Sequence, residues 1–370
     1  MKCLLCFVTI LSVQQVFAEN VNDALFSWRN LLHENNGNSE AGASIPTAVA
    51  HYPQEKKLFI AIPRMFKSDD VQHTLTEVEV KNDGNKSPKI KAFSGNVKDG
   101  LRSVYQPVID ECKRLWIVDD EKPTILTGYD LTQKNYPEIA RYSFPGDSTN
   151  ADQSYGQFAV DVINPQNGCD NTFVYIPSYS DNSLYVYDHK NKDSWTVTHS
   201  SFQPQKSTKS TDDGIAAIAL GERSGDGHRP AYYIISSSTK LWKVNTKDLK
   251  QKKADVNPET IGDRGRKTQG ITMTYDPKTK VLFIGQLNNN GIFCWNTEKK
   301  FEDSKDTILV NPRDKESVNI IDTSVDNDGT LWVLSYLHFA EDKPAAEDTP
   351  FFYISKVTTS KAIAGTRCQK

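Results

Sequence analysis

The run NIIDTSVDNDGTLWVLSYLHF, Asn319 to Phe339, holds the residues of this chain best placed to meet a ligand. Asp322 stands among isoleucines in a segment that alternates apolar and polar residues. A carboxylate there is either a counter-charge for a cation or an acceptor for backbone amides. The second use is the commoner one for a buried acid, and Asp161 in FAVDV reads as its counterpart in an earlier segment. Asp326-Asn327-Asp328-Gly329 resembles part of a calcium loop. The downstream bidentate glutamate is missing, so the four residues read as a tight turn. Catalytic patterns are sparse. GERSG, from Gly221, sets its serine one place too late for a nucleophile elbow. No H-E-x-x-H occurs, and the seven histidines are scattered. Asp119 and Asp120 would point to opposite faces of a strand and so form no acid–base pair. The chain reads as a non-enzyme, with no catalytic residues, no cofactor and no metal.

Those residues need elements to position them, and the bulk sequence restricts which. The chain has 370 residues, a formal charge of −3 and 10% aromatics. A nucleic-acid partner would require a surplus of Lys and Arg on one face, which this balance does not offer. The basic run TKDLKQKK, Thr246 to Lys253, reads as a solvated loop. MKCLLCFVTILSVQQVFA has a Lys2 n-region, a short apolar core from Cys3 to Val13, and Val16-Phe17-Ala18 as a cleavage site. It reads as a secretory signal peptide over residues 1–18, too short for a membrane span. The expected mature protein is a secreted monomer over residues 19–370, with no membrane insertion. Four cysteines then remain, Cys112, Cys169, Cys294 and Cys368, an even number in an exported chain that points to two disulfides. A zinc site is the weaker alternative, because no two of them are close and no histidine lies beside them at ligand spacing. Asn85-Lys86-Ser87 is a sequon, followed by Pro88.

A repeated grammar runs through the chain: a short apolar strand, a polar turn, then a strand of large apolar residues. TAVAHYPQEKKLFIAIP, VYQPVIDECKRLWIVD, FAVDVINPQNGCDNTFVYIPSY, IAAIALGERSGDGHRPAYYIISS, GITMTYDPKTKVLFIGQL and the stretch at Asn319 all follow it. Their second strands centre on Phe59, Trp116, Phe173, Tyr233, Phe283 and Trp332. The spacing, about 50 to 60 residues, lies near that of propeller blades. Third strands follow several of them, as in NSLYVYD, TKLWKVN and NGIFCWN. The expected fold is therefore all-β: one six-bladed β-propeller with a central ligand channel. Two tandem β-sandwiches are disfavoured by the even repeat and by the lack of a linker. VNDALFSWRNLL has helix-like spacing at Leu25, Trp28, Leu31 and Leu32, while ALFSW within it also fits an outer strand. Of three possible disulfide pairings, Cys112–Cys169 and Cys294–Cys368 are preferred. The first pair falls at matching positions of neighbouring repeats, and the second would tie the end of the chain to an adjacent blade and help close the ring.

VYQPVIDECKRLWIVD, FAVDV, LFIAIPR and GHRPAYYIISSSTKLWKVN together resemble the yellow / major royal jelly protein family of insects, and most of all its sand fly salivary members. The similarity runs from about Ile45 to Cys368. It implies a six-bladed propeller whose central channel binds biogenic amines such as serotonin, catecholamines and histamine at a bite. In amine-binding members the last blade carries Thr-Asp before the turn and Asn-Gly-Phe after the Leu-Trp strand. Counted from Leu331-Trp332, those positions are Ile321-Asp322 and Tyr336-Leu337-His338 here. The strand is kept and its ligand-facing chemistry is changed. An ammonium seeks acceptors and aromatic faces. Tyr336 offers a phenol oxygen and a ring, and His338 offers a ring that would repel an amine once protonated. Tyr105 and Phe158, which lead into matching inner strands, are either channel-lining or core residues. The expected ligand-binding set is thus Ile321, Asp322, Tyr336, His338, Tyr105 and Phe158. The alternatives are a surface that engages host cells or receptors, and an enzyme acting on dopachrome-like substrates.

Overall fold

The computed structural model describes residues 21–34, 37–38, 44–64, 71–121, 123–145, 155–205, 213–253, 255–287, 289–310, 317–338 and 349–370. The proposed signal peptide lies outside these residues. Alternating apolar residues between Gly, Asn and Asp turns give six four-stranded antiparallel sheets. Each sheet is a blade, and together they make a six-bladed β-propeller. The inner strands of blades I to VI are Ala48–Tyr52, Val104–Ile109, Ala159–Val162, Ile215–Leu220, Thr272–Asp276 and Ser317–Val325. The second strands are Lys57–Ala61, Arg114–Asp119, Thr172–Ser178, Pro230–Ile235, Val281–Gly285 and Thr330–His338, and each contains the large residue on which its repeat centres.

The six apolar clusters of the core fall one at each interface between neighbouring blades. A twisted sheet has two apolar faces, and only radial packing covers both. The ring closes through the strand Ala24–Trp28, which pairs antiparallel with Phe352–Thr358 and becomes the outer strand of blade VI. That settles the local ambiguity of ALFSW in favour of a strand. Phe26 and Trp28 alternate into the core between blades VI and I, and the Trp28 indole donates to Pro88 O at 2.9 Å. An isolated helix there would have left Phe352–Thr358 as an open edge.

Both disulfides join as expected, Cys112 to Cys169 and Cys294 to Cys368. The first links the turns that follow the inner strands of blades II and III. The second holds the C-terminus against the third strand of blade V, Gly291–Asn296. The same turn chemistry recurs in two blades. Asp110 accepts from the backbone N–H of Cys112 and Arg114 and from the Trp116 indole. Asp326 accepts from Asp328 N, Thr330 N and the Trp332 indole. DNDG is therefore a turn whose first carboxylate is occupied by protein donors. TKDLKQKK differs from the solvated loop expected of it. Thr246–Leu249 is a short helix with Leu249 buried, and Lys250 reaches back to Asp161 at 2.8 Å. Charge density alone hid the one leucine and the one lysine that face inward.

Candidate functional site: a plugged central channel

The inner strands run side by side around the axis, and three of them shift register, blade IV between Ile215 and Ala217 and blades II and VI at a common level. The register shifts between Val104 and Gln106 in blade II and between Ile320 and Asp322 in blade VI. A bulge re-aims the residue it skips, here Tyr105 and Ile321. In both strands the next residue clasps the following blade. Gln106 Oε1 accepts from Phe158 N at 2.8 Å, and Asp322 Oδ2 accepts from Val49 N at 2.9 Å. Gln157 completes the arrangement from blade III. Its side-chain amide donates to Asp322 Oδ1 at 3.1 Å and to Thr323 O at 3.2 Å, while its carbonyl accepts from Met273 N. Thr272 donates to Asp322 Oδ1 at 3.2 Å. These side chains span the axis from blade III to blades V and VI and form a polar plug. Gly156 permits the approach, since a Cβ there would lie 2.0 Å from Ala216 O.

Asp322 sits inside this plug. Burial is the main influence on its carboxyl and lifts it to about 6, against the opposing pull of its hydrogen bonds to Val49, Thr272 and Thr323. Around the ends of the inner strands that precede the plug, three tyrosines and a second acid gather. The Tyr105 phenol bonds to that of Tyr179 and is pushed up to about 12, chiefly by burial, then by the nearby charges of Asp120 and Asp322, with Tyr336 also in range. Burial likewise lifts Asp120 to about 6, with a hydrogen bond from Ser103 opposing it and Asp119 adding to it. Tyr336 stacks on Phe351 with ring centroids 5.6 Å apart. The arrangement offers aromatic faces and buried acids within reach of one another, which suits a small organic cation.

Of the residues expected from sequence, Tyr105, Asp322 and Tyr336 come together at this entrance end. Ile321 is only 8% exposed and packs into the core between blades VI and I. Phe158 is 3% exposed and packs among Trp116, Val118 and Tyr187 between blades II and III, and it also borders an axial cavity on the far side of the plug. The His338 backbone pairs with Ser317, while its side chain lies outside the described set. Asp161 is not the counterpart of Asp322. It stands opposite Phe173, whereas Asp322 stands opposite Leu334, two residues beyond the matching Trp332. Asp161 is instead fully buried between Arg223, Arg229 and Lys250. Sequence reading missed Gln106, Gln157, Asp120 and Tyr179. A lone glutamine in each of the apolar runs VYQPVI and YGQFAV was the available signal for the first two. Among the described residues no group of three or more His, Cys, Asp or Glu is disposed to hold a metal, and no helix is long and apolar enough to cross a membrane.

A ring of six blades with a polar plug across its axis, and tyrosines and acids gathered beside that plug, defines a six-bladed β-propeller. Solved propellers share the fold at low identity. An α-L-arabinofuranosidase from Fusarium graminearum aligns with a TM-score of 0.53 and 12% identity over 91% of this chain and 99% of its own. Regucalcin from Agrobacterium tumefaciens aligns at 0.52 and 11%, over 90% and 94%. Sequence carries the relationship further. Residues 102–368 match the major royal jelly protein family. A yellow-related salivary protein of Phlebotomus orientalis is 41% identical over the full length of both chains. Yellow-related salivary protein LJM111 of Lutzomyia longipalpis is 40% identical, again over both full lengths. The chain belongs to the yellow / major royal jelly protein family, and its relatives here are salivary proteins of sand flies.

Proposed function

We propose that the protein is a secreted salivary scavenger of biogenic amines, taking one serotonin, catecholamine or histamine molecule into the entrance end of the channel. Sequestered there, the amine no longer drives vasoconstriction, platelet activation or inflammation in the host. The observation that carries this reading is the convergence of Tyr105, Tyr179 and Tyr336 with Asp120 and Asp322. An ammonium is drawn to ring faces and to buried carboxylates that no cation among the described residues pairs with. Scavenging requires binding without turnover, which fits a chain with no nucleophile–base constellation in its sequence. The kinship with yellow-related salivary proteins supports secretion into saliva, and the two disulfides suit an oxidising compartment. The test is calorimetric titration of the mature protein with serotonin, then noradrenaline and histamine. Saturation near one ligand per chain is expected for at least one of them. Silence with all three from a folded protein would remove the proposal.

A further inference from the structure

The plug leaves a second space behind it. A cavity of about 200 Å³ lies at the opposite end of the channel, with Gln106, Gln157 and Thr323 of the plug on its wall. We propose that this cavity is a separate ligand site, for a small apolar carboxylate such as an aryl acid.

Its electrostatics are the reverse of the entrance end. The one acid on its lining, Asp326, is fully engaged: Oδ1 accepts from Asp328 N and Thr330 N, and Oδ2 from the Trp332 indole and from His51 Nδ1 at 2.7 Å. The cation on its lining is Arg229. Arg229 belongs to a group in which three cations share two carboxylates: Arg223, Arg229 and Lys250 surround Asp161, and the two arginines also meet Glu111. That group carries a surplus positive charge beside the cavity, largely shielded from water, where an anion gains most. Gln106 and Asn327 add amides. Ala50, Ile218, Met273 and Val325 supply apolar wall. The volume is below the roughly 300–1,000 Å³ of drug-sized sites, so the ligand is of fragment size. An adjoining depression of about 390 Å³ shares Arg229, Tyr275, Asp326 and Asn327 and provides the approach, with Glu111, Glu222 and Asp276 set against Arg223 and Lys278 on its wall. The plug lies between the two ends, so an amine at one end and an acid at the other would not compete.

Sodium benzoate and its neutral isostere benzamide are the probes, titrated into the mature protein. Met273 provides a reporter that is read in the unsubstituted protein, because the whole chain has only three methionines. Its labelled ¹³C-methyl resonance is assigned by its absence from Met273→Leu. Benzoate is expected to saturate near one per chain and shift the Met273 methyl, with benzamide at least tenfold weaker. Saturating serotonin should leave the benzoate isotherm unchanged. Ala50→Leu, which fills the cavity, should weaken benzoate at least tenfold. The proposal is overturned if folded protein shows no saturable benzoate binding, if the two probes bind equally, if the Met273 methyl does not move, or if serotonin displaces benzoate. The benzoate–benzamide comparison stands whether or not an amine binds, so the two proposals fail separately.

Discussion

Asp322 is where stability and ligand chemistry meet. It ties blade VI to blade I through Val49 N and to blade III through Gln157, yet burial disfavours its charge. With its folded pKa raised to about 6, it takes up a proton on folding. Its stabilising contribution is full below its unfolded pKa near 4 and is lost as pH rises through about 6. Urea unfolding at pH 4 and pH 7 should therefore show the wild-type margin over Asp322→Asn widening toward acid, by about 2 kcal/mol. An ammonium at the entrance end favours the opposite protonation state. With Asp120 also raised to about 6, amine affinity should fall severalfold between pH 7 and pH 5, as both acids neutralise. Titrations across that range check it, and a flat profile would place the ammonium away from both acids. Tyr105→Phe keeps the ring and removes the hydroxyl bonded to Tyr179, so it should weaken amine binding modestly, while Phe158→Leu should act on stability alone.

The outer strand of blade VI shows how an element can be local in sequence and global in effect. Ala24–Trp28 covers the edge of Phe352–Thr358 and inserts Phe26 and Trp28 between the last and first blades. Removing a fully buried aromatic costs about 3–5 kcal/mol. Trp28→Ala should fall in that range by urea unfolding, since it also loses the bond to Pro88 O. Deleting residues through Trp28 should cost more and expose an edge strand, read as oligomer formation in light scattering. Phe26 and Trp28 lie two residues apart, a period that fits a strand. Leu25, Trp28, Leu31 and Leu32 fit a helix equally well, and only the unpaired edge more than 300 residues away, roughly the length of the ring, decides between them.

At the scale of the whole molecule, the ring is held by covalent ties as well as by packing. Cys294–Cys368 closes a 74-residue separation and Cys112–Cys169 one of 57. On chain-entropy grounds each is worth about 4 kcal/mol. Thermal melts of Cys294→Ala/Cys368→Ala should show a Tm several degrees lower. The amine titration should be little changed, because that bridge lies at the C-terminal side of blade V rather than at the entrance.

The sequence by itself determined the architecture. Apolar alternation, polar turns and six evenly spaced large residues admit few arrangements other than a ring of blades, and within that ring one cysteine pair falls at matching positions of neighbouring repeats while the other ties the chain end to a blade. It also pointed to the entrance end through Asp322, Tyr336 and Tyr105. What it could not determine is which side of an inner strand each residue faces. A single bulged position at Tyr105 or Ile321 shifts that assignment, and bulges arise from contacts between blades rather than from local pattern. Tertiary structure therefore sent Phe158 into the core and separated Asp161 from Asp322. It also built the plug from glutamines 51 residues apart in sequence, Gln106 and Gln157, because a side chain crossing the axis answers to the strands opposite it and not to its neighbours along the chain.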